Sequence, residues 1–455
     1  KTSLAPPTPP ANANTRGMFN LEPPVRPSNF SIKLGNQKYL TASLFQGKYN
    51  SHARITLPSL GGFQIHISNV SLSNFRNYSH LDLNLPSGLT VLEGKNGHGK
   101  SNLLEAIYTL SVAKSPRTIL ERDIVNKQSL IELKDGLSYA MVGANLHSGG
   151  KTDRLEIHYR CQPAMNDDGF KAQKFIRING TPKRSLDLIG LLNAVLFTVE
   201  DLDLIYGRPS ARRRYLDILV SQVNKNYFQS LRRYQKAIAQ RNHLLRMIKN
   251  NLSSISELEF WDEKLSVDGS VVISERIKAV NELSFEAQAV HSAMSGVEEM
   301  LSFQYKPSVN ILDNVNKDQI SKSLLESLAN FRGKDISRGA TQLGPHRDDM
   351  RTLVDGTDAE RYASRGQART AVLSLKMAEA RFLLKRRGNE PILLMDDFLS
   401  ELDSIRRNQV IEHTLQYEQC IITTSEPDSI PIKFGKTSNK LIVSEGNIIS
   451  SGGTT

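Results

Sequence analysis

The sequence has 455 residues, with 58 Lys and Arg against 47 Asp and Glu, which gives a formal net charge of +11. That length allows two or three domains, and the positive charge favours a polyanionic partner, nucleic acid before an anionic membrane surface. The sequence lacks a run of about 18 apolar residues, which argues against a membrane-spanning segment. Its two distant cysteines, Cys161 and Cys420, provide neither a disulfide framework nor a metal-binding spacing.

The first 62 residues differ in composition from the remainder of the chain. They are rich in Pro, Asn, Ser and Ala, and they carry seven Lys and Arg against a single acid, Glu22. A basic, hydroxylated and acid-poor N-terminus is typical of an organellar transit segment, and a disordered tail without a targeting function is the alternative. We therefore predict a disordered extension over residues 1–62.

The pattern changes at the following residues, where regular secondary structure is expected to begin. Alternation of polar and apolar residues predicts strands over Gln64–Ile67 and Leu81–Leu85. The apolar run Leu89–Glu93 predicts a short buried strand, and the pattern from Ser101 to Tyr108 predicts a helix.

Residues 94–101 lie between that strand and that helix and complete the phosphate-loop pattern G-x-x-x-x-G-K-[ST]. The glycines let backbone N–H groups turn towards phosphate oxygens at the start of a helix. Lys100 is expected to reach the outer phosphates and Ser101 to hold Mg²⁺, while the side chain of His98 is expected at the surface. The predicted nucleotide contacts are Gly94, Lys95, Asn96, Gly97, His98, Gly99, Lys100, Ser101 and Asn102.

The middle of the chain moves from a strand pattern to a helical one. Strands are predicted over Arg154–Tyr159 and Lys174–Ile178, and the dipeptide Asn179-Gly180 predicts a hairpin turn. From about Ala211 the apolar residues recur every three or four positions, which predicts an amphipathic helix from Leu216 to Ile238. Further helical patterns continue to about residue 330.

Strands and helices alternate again in the last part of the chain. The pattern predicts a helix over Ala368–Lys385 and strands over Pro391–Met395 and Ile421–Ser425. These elements predict an α/β nucleotide-binding domain that a helical domain interrupts. The predicted boundaries are residues 63–205 for the first part of the ATPase domain, 206–330 for the helical insertion and 331–455 for the second part.

Two acids, Asp396 and Asp397, end the predicted strand at Met395 and supply the distant carboxylate that a phosphate loop needs. Asp396 is expected to hold Mg²⁺ through water, and Asp397 to orient or deprotonate the attacking water, beside Lys100 on the phosphates. The alternative is a pair of solvated loop residues with no catalytic role. The predicted cofactors are therefore ATP and Mg²⁺.

The run Ser364-Arg365-Gly366-Gln367 resembles the S-G-G-Q signature loop of ABC-type ATPases, and Ser400-Glu-Leu-Asp403 resembles their D-loop. In those proteins the signature loop caps the γ-phosphate of a nucleotide held by the other subunit. The resemblance therefore implies an ATP-dependent homodimer, with nucleotide contacts from Ser364, Gly366, Gln367 and Asp403. The family usually has a small or uncharged residue at the position of Arg365, which either adds a γ-phosphate contact or disturbs the backbone geometry.

Seven collinear blocks make the resemblance specific, and the chain is identified as a member of the RecF family from about residue 64 onward. The blocks are Ser73–Tyr78, Asn96–Tyr108, Glu200–Leu204, Arg212–Asp217, Leu343–Asp349, Tyr362–Gln367 and Ile392–Asp403. The resemblance implies an α/β fold: a P-loop ABC-type, SMC-like ATPase head with a helical insertion domain and no long coiled coil. It also implies that Arg76 lies near the nucleotide.

The resemblance further implies a recombination mediator. Members of the family dimerise on ATP, clamp duplex DNA near single-strand gaps and act with RecO- and RecR-like mediators to load a RecA-type recombinase on gapped DNA. ATP hydrolysis is weak and resets the clamp, and no membrane partner is implied. Bacterial members begin almost at the first strand, so the extension over residues 1–62 suggests a plastid protein. Without a transit function, the expected location is cytoplasmic.

Three other functions stay open at this point. A transporter-associated cassette would place its signature loop much closer to Lys100 and would carry a switch histidine where Thr423 to Ser425 stand. An SMC-like defence ATPase would carry a further acidic cluster after the ATPase domain. A catalytically inactive binding module results if Arg365 prevents the two subunits from closing.

DNA is predicted to bind along residues 201–250, which hold eleven Lys and Arg against three acids. The alternative is that these arginines pack on the ATPase domain or form a solvated helix face. For the run His346-Arg347-Asp348-Asp349, a turn held by internal ion pairs and a functional site both stay open. The predicted DNA contacts are Arg212, Arg213, Arg214, Arg232 and Arg233.

Overall fold

The computed structural model describes residues 65–118, 120–132, 136–163, 170–295, 299–311, 316–426, 434 and 438–450. The predicted extension over residues 1–62, with its proposed transit function, lies outside the described residues. Within them, no helix combines the length and the apolar character that crossing a bilayer requires. Cys161 and Cys420 are buried free thiols.

Strands and short helices alternate in the first part of the described chain. In chain order they are β1 (Ile65–Phe75), β2 (Tyr78–Asn84), β3 (Gly88–Glu93), α1 (Lys100–Val112), α2 (Lys127–Ile131), β4 (Ser138–Ser148), β5 (Lys151–Pro163), β6 (Phe170–Ile178), β7 (Thr181–Lys183), α3 (Ser185–Leu188), β8 (Ala194–Phe197) and α4 (Asp203–Tyr206). Six of the strands form an antiparallel sheet of order β2-β1-β4-β5-β6-β7. The hairpin predicted at Asn179-Gly180 joins β6 to β7, and both turn residues have positive φ angles, 50° and 74°.

Long helices dominate the middle part. In chain order its elements are α5 (Pro209–Val223), α6 (Lys225–Lys249), α7 (Leu258–Ser295), β9 (Leu301–Lys306), α8 (Lys317–Arg338), β10 (Asp349–Val354) and β11 (Thr357–Asp358). The last part contains α9 (Ala359–Tyr362), α10 (Arg365–Arg387), β12 (Ile392–Asp396), α11 (Ser404–Thr414), β13 (Gln419–Thr424), β14 (Asn439–Ser444) and β15 (Asn447–Ser450).

The central sheet has the order β15-β14-β3-β13-β12-β8, and all neighbouring pairs except β14–β15 are parallel. Leu103 and Ile107 of α1 belong to the apolar core on one face of this sheet, and Leu375 and Phe382 of α10 belong to the core on the other. Because both faces are covered, the inner strands are continuously apolar and do not alternate, as in Ile392–Met395. The predicted α/β fold class is confirmed.

The strand order places the predicted site residues together. Strands β3 and β12 both pair with β13 in parallel, so the carboxyl ends of all three lie at one edge of the sheet. The phosphate loop follows β3, Asp396 ends β12 and Thr423 lies at the end of β13. Parallel α/β sheets bind ligands at this edge.

The single amphipathic helix predicted from Leu216 to Ile238 is wrong, because the chain forms two helices there. Asn224 has an extended backbone (φ −132°, ψ 102°), and its side-chain oxygen accepts a hydrogen bond from the N–H of Tyr227 at 3.0 Å. Asparagine is a favourable N-cap, so it ends α5 and starts α6. The apolar spacing continues across this break because buried residues of both helices, such as Leu219 and Tyr227, belong to the same apolar core.

The stretch predicted as a helical insertion also contains a strand, since β9 pairs with β10 in a small antiparallel sheet of order β11-β10-β9. The predicted boundary at residue 330 falls inside α8, and the one at residue 206 falls at the end of α4. Domain boundaries usually fall between elements, and these limits stay a prediction.

Candidate functional site

The phosphate loop connects β3 to α1 and begins the helix without a side-chain cap. Gly99 is the residue before the helix, and its φ of 118° lies in the left-handed region that favours glycine. Lys100 is 3% exposed, and its ammonium group donates to the carbonyls of Gly94 at 2.7 Å and Lys95 at 3.2 Å. The ammonium therefore lies over the loop, whereas Lys95, Asn96 and Gly97 are exposed.

The loop is held from behind by residues that the sequence did not assign to the site. The Tyr78 hydroxyl donates to the Gly99 carbonyl at 3.0 Å, and the Asn77 amide donates to the His98 carbonyl, also at 3.0 Å. A Cβ atom on Gly99 would lie 2.9 Å from the Tyr78 hydroxyl. The turn after β1 thus fixes the loop and leaves room for glycine alone at that position. Asn77 also accepts a hydrogen bond from the side chain of Asn102 at 2.8 Å.

Asp396 meets the end of the loop. Its Oδ1 accepts hydrogen bonds from the hydroxyl groups of Ser101 at 2.8 Å and Thr423 at 2.9 Å. Burial raises the pKa of Asp396, and these two hydrogen bonds lower it in part. The structure therefore brings together the hydroxyl and the carboxylate that were predicted to hold Mg²⁺.

Asp397 follows at the same strand end with an unusual backbone. Its φ of 48° is positive, and its N–H donates to the Thr423 hydroxyl at 2.9 Å. Its Oδ1 accepts from the N–H of Ser425 at 3.2 Å. Thr423 and Ser425 thus orient the two acids, a role that their sequence position did not reveal.

A cleft of about 190 Å³ lies between the end of the phosphate loop and the residues after β8. Besides Ser101 and the two acids, it is lined by Glu105, Arg117 and Glu200, for which no role was predicted. Arg117 donates to the side chain of Asn102 at 3.0 Å and lies 3.6 Å from Glu105. Its guanidinium group lines the cleft and is suited to contact a phosphate there. No local sequence pattern predicts this position.

Arg76 lies behind the cleft and not in it. Its guanidinium group forms an ion pair with Glu105 at 2.7 Å and donates to the Asp123 carbonyl at 2.6 Å. The first contact joins α1 to the β1–β2 turn, and the second joins the segment around Asp123 to the same turn. A direct nucleotide contact by Arg76 stays a prediction.

The signature-like run forms the exposed start of α10. Ser364 caps the helix: its hydroxyl accepts from the N–H of Gln367 at 3.2 Å, and the Gln367 side chain accepts from the N–H of Ser364 at 2.9 Å. Arg365 is exposed, and because this capping box is closed, it does not disturb the backbone. Gln367 also donates to Glu299 at 2.8 Å.

The D-loop-like run ends at Asp403, which caps α11. Its Oδ1 accepts from the N–H groups of Ile405 at 3.1 Å and Arg406 at 2.9 Å. The hydrogen bonds and the neighbouring Arg406 guanidinium lower the pKa of Asp403. Both candidate loops thus form the start of a helix, where their own side chains cap the first N–H groups.

The five predicted DNA contacts differ in their surroundings, and Arg212 requires a correction. Arg212 is 3% exposed and forms a two-pronged ion pair with Asp349, at 2.8 and 2.9 Å. Its side chain is buried in the protein, and the Asp349 carboxylate neutralises its charge there. Arg233 is exposed but pairs with Asp268 at 2.7 Å, whereas Arg232 is exposed with its guanidinium over the Phe228 ring.

Arg213 and Arg214 of α5 are partly buried, and both donate to backbone carbonyls. Arg213 donates to the carbonyl of Asp348 and Arg214 to that of Ser115, both at 2.8 Å. The turn at residues 343–349 is held by partners outside it: Asp348 accepts from the Tyr305 hydroxyl at 2.5 Å and from the N–H of Ser308 at 2.7 Å, and Asp349 pairs with Arg212. These contacts hold the turn in the fold, but the internal ion pairs of the structural alternative do not occur among the described residues.

Comparison with known proteins agrees with this arrangement. The family model described as the RecF/RecN/SMC N terminal domain matches residues 66–435. The DNA replication and repair protein RecF of Roseiflexus castenholzii is 37% identical over 393 residues, covering 84% of this chain and 99% of that protein. RecF of Chloroflexus aurantiacus is 36% identical over 396 residues, covering 85% of this chain and all of that protein.

Solved structures give the same result. The structure of the recombination mediator protein RecF with ATP, in the RecFOR pathway, superimposes with a TM-score of 0.76. It is 30% identical in sequence, and the match covers 86% of this chain and 99% of that one.

Proposed function

Because the chain belongs to the RecF family of DNA replication and repair proteins, we propose that it is an ATP-dependent DNA clamp that acts as a recombination mediator. Two copies close on ATP while they hold duplex DNA next to a single-strand gap, and hydrolysis opens them again. The observation that carries the proposal is the 2.8 Å contact between Ser101 and Asp396 at the end of the phosphate loop. It supports a nucleotide site in which the phosphate loop and the acid pair come from the same chain.

ATP lies along the loop in this proposal, with its phosphates on the backbone N–H groups at the start of α1. Lys100 already holds its ammonium group over the loop through the carbonyls of Gly94 and Lys95. Phosphate oxygens would compete with these carbonyls for the same donor. The 3% exposure of Lys100 strengthens that interaction, because little water screens the charge.

Mg²⁺ fits the oxygen atoms beside the loop. The ion takes few protein ligands in such sites and keeps water and phosphate oxygens for the rest. Ser101 offers a hydroxyl and Asp396 a carboxylate, and their oxygens are already neighbours. Bound there, Mg²⁺ would offset the negative charge of the phosphates.

Asp397 is the proposed base for the attacking water. It lines the same cleft as Ser101 and Asp396, and the N–H of Ser425 fixes one of its oxygens. A carboxylate within reach of water accepts a proton as the water attacks. We expect weak hydrolysis, because the signature loop of a second copy must complete the site.

The closing of two copies is supported by Gly366. A Cβ atom on this residue would meet nothing nearer than the Ser364 hydroxyl, at 3.9 Å, and the residue has no positive φ. The fold of one chain therefore gives no steric reason for glycine there. Two large apolar side chains beside the candidate loops, Tyr362 and Ile405, are each 71% exposed, which suits a surface that another copy covers.

Arg213, Arg214, Arg232 and Arg233 remain the proposed DNA contacts of the α5–α6 region. Their guanidinium groups lie at the surface or at its edge, whereas Arg212 is withdrawn from the set. RecO- and RecR-like mediators and a RecA-type recombinase are the proposed protein partners. The plastid location proposed from residues 1–62 can be tested by fusing them to a fluorescent protein and following the fusion in plant cells.

The test is light scattering of the full chain with and without ATP and Mg²⁺, comparing wild type with Asp397→Asn. Asparagine preserves the shape of the side chain but is a poor base, so the ATP-bound dimer should accumulate and hold gapped duplex DNA in a salt-sensitive way. Asp318→Asn, an exposed acid in the first turn of α8, is the matched control and should behave like wild type. An Asp397→Asn protein that binds ATP but stays monomeric, even with DNA, would contradict the clamp.

A further inference from the structure

A groove of about 450 Å³ lies where the end of α1 meets α3, α5 and α6, apart from the nucleotide cleft. Its volume falls within the usual range for small-molecule sites. Helices α5 and α6 contribute most of its surface, each through residues three or four positions apart. The apolar walls consist of Val112, Ile189, Ile218, Phe228, Leu231 and Ile238.

The groove carries an excess of positive charge. Lys114, Arg213, Arg214 and Arg232 line it, and Arg276 lies at its inner end. Among the described lining residues Asp217 is the one acid, and it is already paired with Arg276 at 2.7 Å.

The positions of the two central guanidinium groups are fixed without neutralising their charge. Arg213 and Arg214 each donate to a backbone carbonyl, at 2.8 Å. Burial and the nearby Arg214 and Lys174 lower the pKa of Lys114, and burial together with Arg276 lowers that of Arg213. A bound anion would relieve this mutual repulsion.

Gln222 gives an independent indication of a ligand. Its side chain lines the groove, and the residue is 2% exposed. Neither its amide nitrogen nor its amide oxygen has a hydrogen-bond partner within the described part of the chain. Buried amides are nearly always hydrogen-bonded. The unpaired donor and acceptor of Gln222 therefore suit a ligand that carries an acceptor and a donor next to each other.

We propose that the groove binds a nucleotide, with the base against Phe228 and the amide of Gln222, and the phosphate on Lys114, Arg213 and Arg214. A nucleobase has a flat apolar face and an edge with adjacent donors and acceptors, which amide side chains bind in pairs. The Arg232 guanidinium lies over the Phe228 ring, 5.8 Å from its centre, and both groups line the groove, so the base can stack on either planar group. The nucleotide is either free or the unpaired end of a DNA strand, and the proposal does not depend on ATP binding at the phosphate loop.

The test titrates the full chain with the fluorescent nucleotide 2-aminopurine deoxyriboside monophosphate, whose emission falls when the base stacks. Wild type and a Lys100→Ala variant should bind it equally, because the groove lies apart from the phosphate loop. Lys114→Gln should weaken the monophosphate at least about tenfold and leave the unphosphorylated nucleoside unchanged. Lys236→Gln, an exposed residue of α6 outside the groove, is the matched control.

Gln222→Leu separates binding from folding. It removes an unpaired buried amide, so its thermal unfolding midpoint should equal or exceed that of wild type, while nucleotide affinity falls at least about tenfold. If only the unlabelled monophosphate displaces the fluorescent nucleotide, the site binds a free nucleotide. If a single-stranded oligonucleotide displaces it at a lower concentration than the monophosphate does, the site binds the end of a strand. Any of three results would overturn the proposal. They are loss of nucleotide binding in Lys100→Ala, displacement of the nucleotide by inorganic phosphate at the same concentration as by the unlabelled monophosphate, and unchanged nucleotide affinity in Gln222→Leu.

Discussion

Ser101 and Asp396 share a hydrogen bond of 2.8 Å although 295 positions separate them in the sequence. Strands β3 and β12 bring them together, because each pairs with β13 in parallel. The phosphate loop and the acid pair therefore form one site only when the whole central sheet has formed.

Replacing Ser101 with alanine tests this contact. The Ser101 hydroxyl is a proposed Mg²⁺ ligand and lowers the pKa of Asp396, so Ser101→Ala should remove most of the effect of Mg²⁺ on ATP affinity, about tenfold or more. Titration with a fluorescent ATP analogue, with and without Mg²⁺, measures it. Ser79→Ala changes an exposed serine of β2 and serves as control. An unaltered Mg²⁺ effect in Ser101→Ala would remove this serine from the metal site.

Gly366→Ala should separate stability from dimerisation. Alanine has room in the isolated chain and a better helix propensity, so the free energy of unfolding should stay equal or rise by about 0.5–1 kcal/mol. The added methyl group would lie in the proposed contact with the second copy, so the ATP-dependent dimer should weaken. Denaturant unfolding and light scattering test the two effects. A destabilised monomer, or a dimer as tight as wild type, would contradict the argument.

Substitution of Arg212 should lower the stability of the protein, whereas substitution of Arg232 should weaken DNA binding. Arg212→Met leaves Asp349 without its partner in a largely buried ion pair, so stability should fall by about 3 kcal/mol. Arg232→Gln changes an exposed side chain and should alter stability by less than about 0.5 kcal/mol. It should instead reduce the slope of log affinity for DNA against log salt by about one. Urea unfolding and DNA binding at several salt concentrations separate the two roles.

His346 should make stability depend on pH. Its Nε2 lies 3.1 Å from the Thr341 carbonyl, which can only accept, so Nδ1 accepts from the Tyr234 hydroxyl at 2.7 Å. Burial lowers the pKa of His346 to about 4. The unfolded chain then binds more protons between about pH 4 and 6.5, so the contribution of this histidine is complete above that range and is lost as the pH falls through it.

The measurement is urea unfolding at pH 7 and pH 5. His346→Gln keeps a donor and an acceptor but cannot titrate, so its stability should fall less between the two pH values than that of wild type. Equal losses in both proteins would show that other groups cause the pH dependence.

The parts of the site that follow a local pattern could be predicted from the sequence. The phosphate loop, the apolar strand before Asp396 and the helix after Ser364 each depend on neighbours within about ten residues. The parallel sheet then brings them together by a general rule of α/β folds.

The remaining features depend on partners that are distant in the sequence. Arg212 looks like any other arginine of a basic run, and its burial follows from Asp349, 137 positions later. Arg117 enters the cleft through the fold alone. Asn224 ends α5 although the apolar period continues through it, because a cap residue interrupts the backbone and leaves the pattern of buried side chains intact.

The back of the phosphate loop is closed by the turn between β14 and β15. The N–H of Gly446 donates to the His98 carbonyl at 3.0 Å, and a Cβ atom on Gly446 would lie 2.5 Å from the Asn77 carbonyl. During synthesis the phosphate loop leaves the ribosome well before this turn. The growing chain therefore cannot close the back of the loop until Gly446 has been made, and fragments that end before β14 should lack this support.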